Sequence, residues 1–156
     1  MIQGGTGSSS FNLNQPDFLP DSLESGTLNT IGIIALKSGL DFVNEKTTAK
    51  IYAHEKELCD RFINSLKNTN VKDYRDENCL YTPVVSFNIL GGKPEQAASV
   101  LDKHGFCLRA GFHCAPLAHH SLGTTEGTVR FSPSVFNNSQ QVDSLVKILK
   151  NYKKFS

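Results

Sequence analysis

The chain has 156 residues, 38% hydrophobic and 20% charged, which allows one domain with a real core and fits an ordinary globular composition. Its formal net charge of +1 sets up no field that would draw it to nucleic acid or to an anionic membrane. No apolar run is long enough to span a bilayer, and the N-terminus lacks the basic-then-apolar layout of a secretion signal. The four cysteines, Cys59, Cys79, Cys107 and Cys114, form no C-x-x-C pair. That argues against a zinc site and against a disulfide framework. They are expected to be reduced thiols in a cytoplasm.

Residues 1–14 open with Gly4-Gly5-Thr6-Gly7 and three serines. The backbone N–H groups of such a loop can cradle an anion such as phosphate; a floppy terminus is the other reading. No lysine follows at Walker spacing, so the stretch is not a P-loop. Pro16 to Pro20 reads as an extended linker, because a residue before proline is held out of the helical region. A turn from Glu24 to Thr30 then leads into a helix capped near Asn29 or Thr30. That helix carries Ile33, Ile34, Leu36, Leu40 and Val43 and is expected to end near Asn44. A second helix starts at about Thr47, with Ile51, Leu58, Phe62, Ile63 and Leu66 at helical spacing. His54 sits among its charged residues and reads as solvated surface.

Val71 to Tyr74 suggests a short strand. Pro83 to Leu90 is a clearer one, β-branched and aromatic with partial alternation, and Gly91-Gly92 ends it. Pro94 stands at the first turn of a third helix, where proline is tolerated. Ala97, Ala98, Val100 and Leu101 give that helix an apolar face, and Gly105 caps it. Phe106 to Arg109 is predicted as a strand, Leu117 to Leu122 as a helical turn, and Gly127 to Ser132 as another strand. Asn138 caps the last helix, with Gln141 as its capping-box partner; Val142, Leu145, Val146, Leu149 and Tyr152 form its apolar stripe. This order predicts an α+β fold, a small, mainly antiparallel sheet covered by helices on one face. The sheet domain is assigned to residues 45–156, and residues 1–44 read as a separate lead-in.

The stretch that carries chemistry is Arg109-Ala110-Gly111-Phe112-His113-Cys114-Ala115-Pro116-Leu117. A thiol attacks as its thiolate, and cationic neighbours or local backbone dipoles favour that form. Gly111 lets the chain turn sharply, and Pro116 stiffens the exit. On spacing alone Cys114 also reads as one more small hydrophobe, since a single Cys-His neighbour pair is not specific.

Four stretches occur in order: Gly4-Gly5-Thr6-Gly7-Ser8, Glu24-Ser25-Gly26-Thr27-Leu28-Asn29-Thr30, the Cys114 loop through His119, and Gly127-Thr128-Val129-Arg130-Phe131-Ser132. Together they resemble the C-terminal part of cysteine desulfurases, which belong to the class V aminotransferase group of fold type I pyridoxal-phosphate enzymes. The resemblance covers nearly the whole chain. It implies that Cys114 is the persulfide-forming cysteine and that Arg130 grips the substrate α-carboxylate, a task suited to the guanidinium fork. Gly5 and Thr6 match the loop that, in family homodimers, reaches the cofactor phosphate of the partner subunit. Asn29 lies, with Glu24, in the family's Glu-x-Gly-Thr-x-Asn turn, as structural support or substrate-site lining. His113 and Arg109 flank the nucleophile, tuning the thiol or contacting substrate. His119 and His120 read as solvated loop histidines, with a ligand role as the other reading. Cys59, Cys79 and Cys107 match no functional position and are expected to pack in the core.

The same resemblance implies pyridoxal 5'-phosphate as the electron sink. Cysteine is the implied substrate (selenocysteine is open to the same machinery), alanine the product, and a sulfur-acceptor protein the partner. No membrane or direct nucleic-acid contact is implied. The chain departs from the family in one large respect. The Ser/Ala-x-His-Lys segment that holds the cofactor lysine before the Gly-Gly-Thr loop is missing, and Lys37 and Lys50 lie in predicted helices. The chain is therefore expected to be a C-terminal fragment, inactive alone. Two other readings stay open: an aminotransferase or lyase of the same family, and a stand-alone domain that carries sulfur or binds a partner.

Overall fold

The computed structural model describes Gly5, residues 11–76 and residues 78–152. It divides into two units, Met1–Lys46 and Thr47–Ser156.

In the first unit, the side chain of Gln15 donates from Nε2 to the carbonyls of Asp21 at 2.6 Å and Glu24 at 2.8 Å. This closes a loop, and within it Asp21–Leu23 forms a short 3-10 turn. The stretch around Pro16 and Pro20 is thus turned back rather than extended, with Ser22 N donating to Phe18 O at 2.8 Å. Helix α1 follows, Thr30–Lys46. Asn29 caps it as the sequence suggests, Oδ1 accepting from Gly32 N at 2.9 Å. The helix buries no residue, and Ile31, Ile34 and Leu36 are exposed.

The second unit begins with helix α2, Thr48–Leu66. The elements after it are β1 (Val71–Asp73), β2 (Val85–Ile89), α3 (Pro94–Lys103), β3 (Arg109–Gly111), α4 (Pro116–Leu122), β4 (Thr128–Phe131) and α5 (Ser139–Lys150). The four strands form one sheet in the order β1-β2-β4-β3, with every neighbouring pair antiparallel. Alternation fixes its two faces. Val85, Phe87 and Ile89 of β2 are buried, as are Val129 and Phe131 of β4. They join one cluster with Leu58, Phe62 and Leu66 of α2, Ala97 and Leu101 of α3, and Leu145 and Leu149 of α5. Phe62 is at its centre, stacked on Phe131 with centroids 4.4 Å apart and edge-on to Phe87 at 5.3 Å. The result is a small antiparallel sheet with helices on its core face, the fold class expected. Ser86, Asn88, Thr128, Arg130 and Arg109 alternate onto the other face, where the site lies.

Local signals placed the ends of the helices well. Asn138 Oδ1 accepts from Gln141 N at 3.0 Å, and Gln141 Oε1 accepts from Asn138 N at 3.1 Å, a complete capping box. Arg61 of α2 then meets Asp143 of α5 through two bonds of 2.7 Å each.

Several expectations are corrected. His54 is half-buried, and its Nε2 donates to Asn137 O at 2.9 Å, tying α2 to the loop before α5. Cys79 and Cys107 are exposed rather than packed, because both fall in coil segments off the core face. Strand β3 is displaced from Phe106–Arg109 to Arg109–Gly111. Its register with β4, Arg109 opposite Arg130 and Gly111 opposite Thr128, sets where pairing occurs, while Phe106 and Leu108 pack against the core from the preceding loop.

Candidate active site

The site grows from the β3–β4 edge of the sheet. Arg130 stands in β4 directly opposite Ser86 on one side and Arg109 on the other. Cross-strand partners share a face, so two guanidinium groups project from adjacent positions. Like charges placed so are unfavourable. Among the described residues neither arginine has an ion-pair partner. An anion seated between them would relieve that repulsion, and a carboxylate matches the guanidinium fork.

Immediately after β3 the chain turns. Ala115 N donates to Phe112 O at 2.9 Å. The two residues between them, His113 and Cys114, have φ of 51° and 61°. Positive φ at both central positions is the pattern of a type I′ turn, which favours glycine or asparagine. A histidine and a cysteine held there are strained, and the turn presents Cys114 exposed at its tip. Replacing Cys114 by glycine is therefore expected to give a more stable chain than replacing it by alanine, by about 1 kcal/mol; urea midpoints of the two variants measure the difference.

The turn is held from two sides. His113 Nε2 donates to Thr128 O at 3.0 Å. Because a carbonyl can only accept, this bond fixes the neutral ring with its proton on Nε2 and leaves Nδ1 as an acceptor. From the other side, Pro116 starts α4 at its first turn, and α4 folds back on the turn. His119 is 6% exposed, its ring edge-on to Phe112 at 5.4 Å and 6.0 Å from the His113 ring. Its Nδ1 meets Thr124 Oγ1 at 2.8 Å. This corrects the expectation of a solvated His119. Gly123, at φ 68°, ends α4 and turns Thr124 back onto that ring, a long-range consequence of the cap that spacing does not reveal. His120 is exposed.

Burial holds His113 below its ordinary value, opposed by the bond to Thr128 and assisted by the charges of Arg130, His119 and Arg109. A histidine whose folded value is depressed binds fewer protons than in the unfolded chain. Stability from this group is thus complete above its unfolded value of about 6.5 and is lost as the pH falls below that. The expected result is that unfolding midpoints drop less between neutral and mildly acid pH in His113→Asn than in the parent chain. Cys59, by contrast, is buried in the core, and burial pushes its thiol up to about 12, so it is no nucleophile.

Arg109, His113, Cys114 and Arg130 thus come together within the second unit. Gly5 and Asn29 belong to the first. Gly5 O accepts from Gly26 N at 2.6 Å, and the Oδ1 of Asn29 is engaged in the helix cap. Thr6 lies outside the described residues. The residues that spacing missed are Thr128, which fixes the His113 tautomer, and His119, which backs the turn.

The described residues do not fit pyridoxal phosphate as a resident group, because none offers it a Schiff-base lysine. Every described lysine is exposed; Lys37 is paired with Asp41 at 2.6 Å, and Lys50 lies on the open side of α2. A Schiff-base lysine needs a buried or cation-flanked amine. Among the described residues no group of three His, Cys, Asp or Glu is placed to hold a metal ion, and no helix is long and apolar enough to cross a membrane.

The aminotransferase class V family model matches residues 2–145. The chain is 32% identical over 134 residues to a probable cysteine desulfurase of Methanothermobacter thermautotrophicus, covering 83% of this chain and 33% of that protein. It is 33% identical over 140 residues to a probable cysteine desulfurase of Pyrococcus abyssi, covering 89% of this chain and 34% of that protein. Among solved structures, it resembles an apo cysteine desulfurase from Thermococcus onnurineus NA1 with a TM-score of 0.78 and 32% identity, covering 90% of this chain and 34% of that one. It spans about one third of the length of the curated relatives it matches. With the match running through the Gly-rich loop, the Cys114 turn and β4, this chain belongs to the aminotransferase class V family.

Proposed function

We propose that this chain supplies the sulfur-accepting part of a cysteine desulfurase. The observation that carries the reading is the conjunction of an exposed thiol at a turn tip with two unneutralised arginines on the strands at its root. Arg130 holds the α-carboxylate of cysteine by two parallel hydrogen bonds, and Arg109 adds charge beside it. Cys114, as its thiolate, forms a bond to the substrate sulfur. The substrate Cβ–S bond breaks with its electron pair on carbon, which takes the proton the substrate thiol gives up and leaves as alanine. The sulfur remains on Cys114 as a persulfide, with no external oxidant consumed.

The relatives named cysteine desulfurase support this reading. An aminotransferase or lyase of the family would share Arg130 but has no use for a thiol held in a strained turn. The finer expectations belong to the same proposal. Pyridoxal phosphate takes its Schiff-base lysine from outside the described residues, and in a homodimer Gly5 and Thr6 reach the cofactor phosphate of the partner subunit. Residues 1–44 pack with the cofactor domain, with Asn29 lining the substrate site. Persulfide sulfur passes to an acceptor protein in a cytoplasm that keeps the thiols reduced.

The test is product analysis with Arg130→Lys in the assembled enzyme. Alanine, not pyruvate or a keto acid, is expected from cysteine. Lysine cannot reproduce the fork, so KM for cysteine is expected to rise about tenfold. Keto acid as the main product would end the desulfurase reading.

A further inference from the structure

Three buried side-chain atoms have no hydrogen-bond partner among the described residues: Asn88 Oδ1, Thr128 Oγ1 and His113 Nδ1. They are not scattered. Phe87 pairs with Val129, so Asn88 lies directly opposite Thr128 on the same face of the sheet. On the other side of Thr128 the register places Gly111, and a side chain built there would meet nothing within 4 Å. Beside it, the ring of His113 reaches across to the Thr128 carbonyl. Thr128 itself is 0% exposed. Asn88 uses its amide on the Gly127 carbonyl at 3.0 Å and on Tyr74 Oη at 3.2 Å, which directs its oxygen to the remaining side.

Buried polar groups are as a rule satisfied, and an orphaned one is costly. Two of these atoms, Asn88 Oδ1 and His113 Nδ1, can only accept; Thr128 Oγ1 has one proton to give and two lone pairs. Direct pairing leaves at least one acceptor without a donor. A water has two donors and two acceptor sites and takes 2–4 polar partners, so one water within reach of all three would complete the set.

We propose that Asn88 and Thr128 are positioning residues for sulfur acceptance: with one bound water they anchor the His113 ring, and through it they hold the Cys114 turn in its strained shape. His113 and Cys114 occupy positive φ against their own preference, so the turn keeps that shape only while its first central side chain is tied down. The bond from Nε2 supplies one tie. The water-bridged Nδ1 supplies the second and stops the ring from swinging about the first. Arg130 is two residues from Thr128 but makes no part of this network, so carboxylate binding is left alone when the network is cut.

This inference rests on the desulfurase reading for its kinetic consequence, but not for its structural one. The substitution is Thr128→Val, which keeps shape and strand preference and replaces the Oγ1 hydroxyl with a methyl. In a crystal structure of the parent chain, a water is expected on Thr128 Oγ1 and His113 Nδ1. In Thr128→Val that water is expected to be gone and residues 113 and 114 to have left positive φ. An unchanged turn in the variant would overturn the proposal whatever the enzyme does. In the assembled enzyme, Thr128→Val is expected to lower kcat for alanine release about tenfold with KM for cysteine within about twofold, and Thr128→Ser to restore kcat. Loss of kcat that serine does not restore, or a rise in KM alone, also overturns it. If Thr128→Val does not fold, Asn88→Ala takes its place with the same expected split. Cys114→Ala is run alongside: alanine release that survives it ends the desulfurase reading, and the crystallographic outcome then decides the network by itself.

Discussion

Cys114→Ala is expected to abolish sulfur acceptance, with alanine release from cysteine falling to background in the assembled enzyme, while leaving the fold of this chain intact. The side chain is exposed at the tip of the turn, so its loss removes no core contact, and alanine meets the same positive φ that cysteine does. No other thiol can stand in. Cys59 is in the core and its thiol is pushed up to about 12. Cys79 lies in the loop between β1 and β2, where its Sγ donates to Asp76 at 3.5 Å and that carboxylate raises its pKa. Cys107 is exposed but precedes β3, on the far side of the strand from the turn. The activity is thus expected to depend on one residue, with a loss of many orders of magnitude typical of a missing covalent nucleophile. Alanine release and the far-ultraviolet spectrum of the variant together check it.

The second large effect is on stability. Gly127→Ala is expected to lower the unfolding free energy by about 2–5 kcal/mol. Gly127 sits at φ 83°, and a Cβ there would lie 2.5 Å from the carbonyl carbon of Gly111 and 2.6 Å from its oxygen. Those atoms are backbone, not a flexible side-chain end, so β3 must shift to make room. Gly127 O also holds the Asn88 amide. The shift therefore falls at the root of the Cys114 turn, and sulfur acceptance is expected to weaken along with stability. Gly123→Ala is the internal control. Its φ of 68° carries the same conformational penalty, but nothing lies within 4 Å of the added carbon, so the cost is expected to stay at about 1–2 kcal/mol. Urea unfolding of the two variants separates the clash from the dihedral strain. Equal losses would mean that the close approach of Gly111 and Gly127 carries no energetic weight.

The features legible in the sequence were those decided locally. The capping box of Asn138 and Gln141, the Asn29 cap and the proline at the start of α3 each depend on residues within one turn, and each appears where the sequence puts it. The buried stripe of α5 followed from periodicity alone. Features decided across the sheet were not legible. The register of β3 depends on β4, nineteen or so residues on, and its pairing overrode the apolar run from Phe106 to Leu108. Of the candidate site, the identity of Arg130 and Cys114 came through a resemblance and not through spacing. The turn shape did not, because positive φ is signalled by glycine or asparagine and here falls on His113 and Cys114. The burial of His119 is decided at longer range, because it depends on Gly123 reversing the chain so that Thr124 returns to the ring.

The most direct test of the account is the mass of the peptide that contains Cys114 after the assembled enzyme has turned over cysteine, trapped with an alkylating agent under non-reducing conditions. A one-sulfur increase on Cys114, absent from the peptides carrying Cys79 and Cys107, is the result predicted. Added sulfur on another cysteine, or alanine released with Cys114 left unmodified throughout, would contradict it.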